Sequence, residues 1–140
     1  MSFRILTTAV LAGGLLTVAA PASAGPGPTP CIGTELQSVP VTTAKGARLG
    51  WLTVVQTEDG KCAVTTTEAR DAHLNAFIAV CATPAEPCEV IAQDDAYGSG
   101  NSVETVPLPA AGLCVAATAS ITIGHGPTVA FGHTDIGNCE

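Results

Sequence analysis

The chain has 140 residues with 12 Asp and Glu against 5 Lys and Arg, a formal charge of −7. This acid excess argues against nucleic acid and anionic membrane as partners, and the length suits one domain with its flanks. Aromatic residues make up only 4% of the chain, whereas six cysteines stand at Cys31, Cys62, Cys81, Cys88, Cys114 and Cys139, so a core of small side chains reinforced by disulfides is expected.

The N-terminus reads as a secretory signal, residues 1–24. Arg4 forms a sparse positive region, Ile5 to Val18 the apolar run, and Ala22-Ser23-Ala24 a small-residue cleavage site. The run is shorter than the roughly 20 residues that cross a bilayer as a helix, and no second such stretch follows, so no membrane insertion is expected. The sequence lacks a twin arginine and a cysteine at the cleavage site to accept a lipid. General secretion and release follow. Cleavage after Ala24 leaves about 116 residues with 4 Lys and Arg against 12 Asp and Glu, a formal charge of −8.

Residues 25–30, Gly25-Pro26-Gly27-Pro28-Thr29-Pro30, form a leader that cannot hold helix or sheet, because Pro removes donors and Gly adds backbone freedom. From Cys31 onward, residues 31–140 read as a single all-β domain, with short Val, Thr and Ile runs between turn residues and almost no helical periodicity. Strands are predicted near Thr34–Val41, Ala47–Gln56, Lys61–Glu68, Leu74–Ala82, Cys88–Gln93, Ser102–Leu108, Leu113–Ile123 and Thr128–Gly132. The firmest turn is Thr57-Glu58-Asp59-Gly60, where Gly supplies positive φ. Glu68–His73 is the one candidate helical turn. About eight short, evenly spaced strands point to a small disulfide-stapled sandwich or barrel. Trp51, between Leu49 and Thr53 on one strand face, is expected to be its largest buried anchor.

Six cysteines allow 15 connectivities. Locality favours Cys81–Cys88, whose six intervening residues suffice for a loop with facing ends. For the others it favours Cys31–Cys62 and Cys114–Cys139. The alternative, Cys31–Cys139 with Cys62–Cys114, would tie the termini together and stays open.

Two segments carry a family resemblance. Gly50-Trp51-Leu52-Thr53-Val54 through Gly60-Lys61-Cys62-Ala63-Val64-Thr65, and more specifically Val106-Pro107-Leu108-Pro109-Ala110-Ala111-Gly112-Leu113-Cys114-Val115, resemble segments of the spore-associated protein A family. Cys31 and Cys139 complete a similar four-cysteine frame. The chain departs from the family at Lys61 and at Ala116-Ala117, and the Cys81 and Cys88 pair looks like an addition. The resemblance implies an exported β protein, associated with a cell or spore surface and without an established biochemical activity.

Candidate chemistry is sparse. His125 and His133, with Asp135 nearby, would need a hairpin to meet, and their spacing matches no zinc signature. Three ordinary surface histidines are expected. Gly98-Ser99-Gly100 lacks the context of a nucleophile elbow. Asp94-Asp95-Ala96-Tyr97-Gly98-Ser99 loosely resembles the calcium loop of βγ-crystallins but has Gly98 in place of a hydroxyl, so it reads as a solvated acidic turn. No enzymatic activity, metal or cofactor is expected. Two classes remain: a secreted structural or surface-associated protein, and an extracellular binding module, either a protease inhibitor or a small-ligand carrier. The second would use the loop Thr83, Pro84, Ala85 and Glu86 between Cys81 and Cys88.

Overall fold

Alternation of side chains along short Val- and Thr-rich runs lets each strand give one face to a core and the other to solvent. A computed structural model describes residues 30–140, so the expected signal and nearly all of the expected leader lie outside the described residues. Among the described residues eight strands form, all paired antiparallel: β1 (Thr34–Thr43), β2 (Arg48–Thr57), β3 (Gly60–Thr67), β4 (Ala72–Cys81), β5 (Val90–Ser99), β6 (Ser102–Glu104), β7 (Cys114–Ile123) and β8 (Val129–His133). They build a single sheet in the order β5-β4-β7-β8-β1-β2-β3-β6.

The sheet curls into a nearly closed barrel. At the seam the Val106 N–H donates to Asp94 Oδ2 at 2.8 Å. Gly98 there leaves no room for a Cβ, which would lie 2.9 Å from the Val103 side chain. Inside, Val41, Leu52, Val54, Leu74, Ile78 and Ile121 interlock with a series of alanines. A second, smaller cluster lies outside the sheet, where Cys31 and Cys62 cover Val55 and Val64.

The Thr57–Gly60 turn forms as expected: these two residues face each other and the Asp59 N–H donates to Thr57 Oγ1 at 3.0 Å. Gly60 has φ 142°, and any Cβ there would lie 2.0 Å from the Leu108 carbonyl oxygen. Two requirements thus converge on one glycine.

Trp51 overturns an expectation. It is 39% exposed, because the opposite face of β2, carrying Gly50, Leu52 and Val54, turns inward. The interior at this level has no space for an indole: even a Cβ on Gly50 would meet the Thr66 carbonyl oxygen at 2.0 Å and Ile121 Cδ1 at 2.6 Å. Trp51 rests outside against the Arg48 guanidinium, 4.8 Å from the ring centroid. Trp51→Ala should therefore cost about 1 kcal/mol, the scale of a lost exposed cation–π contact, rather than the several kcal/mol of a core truncation. Chemical denaturation of the variant measures this, and native Trp fluorescence should be readily quenched by acrylamide.

Three further segments differ from the sequence reading. Glu68–His73 forms no helical turn: Glu68–Asp71 is an irregular crossing from β3 to β4, held where the Ala69 N–H donates to Thr67 Oγ1 at 3.0 Å, and His73 already belongs to β4. Asp94–Ser99 is strand rather than turn, since pairing with β4 carries β5 through Ser99. The β6 strand ends at Glu104 instead of Leu108, with Pro107 and Pro109 removing ladder donors beyond it.

Candidate functional site

The antiparallel order sorts the chemistry of the chain between the two ends of the barrel. At the lower end stand the start of β1, the β2–β3 turn, the end of β4, the start of β5 and the start of β7. All three disulfides lie there: Cys31–Cys62, Cys81–Cys88 and Cys114–Cys139, with no free cysteine among the described residues. Each bond is the local one of the two schemes. Such a set marks a chain that folds in an oxidising compartment.

Acidic residues crowd the same end, with Glu58 and Asp59 in the β2–β3 turn, Glu86 in the disulfide loop, Glu89 just after it, and Glu140 at the C-terminus. Lys45, Arg48 and Arg70 sit at the opposite, upper end, around the β1–β2 turn and the β3–β4 crossing, where Glu68 and Asp71 offset two of them. Strands of ten residues at about 3.4 Å each separate the ends by roughly 30 Å, several Debye lengths in physiological salt, so the acidic field of the lower end is screened before it reaches the nearly balanced upper end.

Lys61 is the residue that sequence reasoning missed. Parity on β3 turns it into the barrel, where it is 1% exposed and the largest fully buried side chain. Its ammonium donates to the carbonyl oxygens of Leu113, at 3.2 Å, and Asn138. Burial pulls its pKa below the ordinary value, partly offset by the nearby Glu140 carboxylate. Lys61 thus plugs the lower end and ties β3 to the crossing before β7 and to the C-terminal tail.

The candidate recognition loop lies at this end too. Thr83, Pro84, Ala85 and Glu86 are all exposed. The disulfide clamps their base, and the Ala82 N–H donates to the Glu89 carbonyl at 2.8 Å. Val90 and Ile91, just beyond the loop, are exposed as well.

The candidate chemical clusters are dispersed. His125 lies in the β7–β8 turn, while His133 lies at the other end of β8, four residues and about 13 Å farther down. The hairpin therefore separates them. His125 instead approaches His73 of β4, with ring centroids 6.2 Å apart. Asp94 and Asp95 point to opposite faces of β5: the first holds Val106 at the seam, while the second accepts from Asn75 Nδ2 at 2.6 Å and from the Tyr97 hydroxyl at 3.0 Å. They cannot share one calcium ion, and the Asp95 bond raises the Tyr97 pKa. Ser99 is the last residue of β5 and sits on no constrained elbow. Among the described residues no three His, Cys, Asp or Glu side chains converge as a metal site.

What the barrel does present is an outer face of β2, β1 and β8. Register sets Trp51 opposite Pro40, and Thr42 opposite both Arg48 and Phe131. Phe131 is 65% exposed. Beside Trp51 a shallow cleft of about 400 Å³ is lined by Arg48, Thr66, Thr67 and Glu68. The patch combines flat apolar rings, hydroxyls and one stacked cation. No family model, curated protein or solved structure matches the chain.

Proposed function

We propose that this is an exported, disulfide-locked structural protein that associates with the cell or spore surface through the outer face of β2, β1 and β8. One observation carries the reading: a barrel filled by aliphatic side chains holds Trp51 and Phe131 outside, beside Arg48 and Thr42. Exposed rings bordered by hydroxyls and a guanidinium suit adhesion to a polysaccharide-rich envelope, where rings stack on sugar faces and polar groups bond to sugar hydroxyls. The secretory signal at residues 1–24 and the resemblance to spore-associated proteins favour the same location. Catalysis has no support from any cluster of groups described above.

Replacing both Trp51 and Phe131 by Ser should release the protein from cells into the medium while lowering its melting temperature by no more than about 10 °C, since both rings are largely outside the core. Retention equal to wild type would exclude this face. The competing binding-module reading rests on the exposed, clamped loop. Replacing Thr83 to Glu86 by Gly and Ser, with both cysteines kept, should alter neither melting temperature nor retention, because the strands and the disulfide hold the loop from outside it. Loss of a specific soluble partner with stability unchanged would favour the binding module instead.

A further inference from the structure

We propose that His73 and His125 form a two-histidine chelate for a divalent transition-metal ion, a reversible fourth cross-link at the end of the barrel opposite the disulfides. His73 is the second residue of β4, and His125 lies in the turn between β7 and β8. Both side chains are exposed and so free to receive an ion. Their ring centroids stand 6.2 Å apart with the planes tilted by 38°.

That separation falls within reach of one shared ion. With metal–nitrogen bonds of about 2.0–2.1 Å and a ring centroid about 1.1 Å behind each nitrogen, two imidazoles on one ion have centroids at most about 6.3 Å apart. A tetrahedral or square-planar angle brings them to roughly 4.5–5.3 Å. Small χ changes in two exposed side chains supply the difference.

The backbone beneath the pair is already fixed. The Gly124 N–H donates to the Asp71 carbonyl at 2.6 Å, so the turn bearing His125 is bonded to the chain two residues before His73. Within the turn, the Ile123 N–H donates to the Thr128 carbonyl at 3.1 Å. In register, His73 faces Thr122 on β7 and Ser99 on β5. With only two protein nitrogens, water completes the coordination, and the bound ion exchanges freely, unlike the closed four-ligand structural sites. Imidazole donors favour nickel, copper and zinc over magnesium or calcium. An ion held by both rings binds the folded chain more tightly than the single histidines of the unfolded chain and so stabilises the fold.

The test uses the oxidised protein with nickel or zinc chloride. Titration should show one site that saturates below about 1 mM metal, with a melting temperature raised by roughly 4–8 °C. His73→Ala and His125→Ala should each abolish both effects, while His133→Ala retains them. Metal-free melting of each variant reports its folding. As a check that needs no variant, electron paramagnetic resonance of the copper(II) complex of the wild type should show two imidazole nitrogens. No saturable binding up to 1 mM, persistence of binding in both single variants, loss in His133→Ala, or a single coordinated nitrogen would each overturn the proposal.

Discussion

Reduction of the three disulfides should unfold the domain at room temperature. The bonds close loops with sequence separations of 31, 7 and 25, for which loop-closure entropy gives roughly 3.7, 2.4 and 3.5 kcal/mol. Their total of about 10 kcal/mol compares with the 5–15 kcal/mol that holds an ordinary domain folded. The core offers little reserve, because alanines provide much of it and the bulky rings of Trp51 and Phe131 lie outside. The longest loop should matter most: the Cys31→Ser/Cys62→Ser variant should melt roughly 15–25 °C below wild type, and the Cys81→Ser/Cys88→Ser variant the least below it. Near-ultraviolet circular dichroism with and without reductant reads the outcome for the whole set. A fall of less than about 5 °C on full reduction would show that the aliphatic interior suffices alone.

Lys61 should carry the second large effect. Lys61→Ala removes the largest fully buried side chain and leaves the Leu113 and Asn138 carbonyls without their donor, at a cost of about 3–5 kcal/mol. Lys61→Met keeps the stem and also removes the desolvated ammonium, and these changes offset the lost hydrogen bonds to within about 2 kcal/mol. A Met variant as unstable as the Ala variant would mean that the charge, not the packed stem, holds the lower end shut. Alkaline pH gives the sign of the charge contribution. The unfolded chain keeps the Lys61 proton up to the ordinary 10.5, whereas the folded chain releases it at lower pH. Between the two values the unfolded state binds more protons, so the contribution of this group to stability grows as pH rises through that window. The raised Tyr97 pKa works in the opposite direction near pH 10, so the measurement is the difference between wild type and Lys61→Met across the window.

Much of the fold was legible in the chain because Val, Thr and Ile runs alternate with turn residues that have steric reasons to turn, Gly60 above all. The facing of β2 was not. Leu49, Trp51 and Thr53 alternate with Gly50, Leu52 and Val54, and when both faces carry apolar residues, period two alone does not tell inside from outside. The structure settles it by room: the barrel admits Leu and Val at that level and excludes indole. The Asp94–Ser99 segment misleads for a related reason, since its acids, Gly and Ser read as a turn, yet a strand at the end of the sheet order tolerates carboxylates as it need satisfy only one neighbour. The burial of Lys61 leaves no local signal at all, because its acceptors are main-chain carbonyls 52 and 77 residues away. The approach of His73 to His125 depends likewise on β4 lying beside β7, a non-sequential pairing that local patterns do not encode.

Fractionation of the producing culture decides whether the protein is held at the surface. Washed cells and spores, and the cell-free medium, would be probed with an antibody against the folded domain, after confirming that the chain has lost residues 1–24. Most of the processed protein should stay with washed cells or spores and be released by denaturant without reductant, since its own disulfides are all internal. Processed protein accumulating free in the medium, with none retained after washing, would rule out surface association.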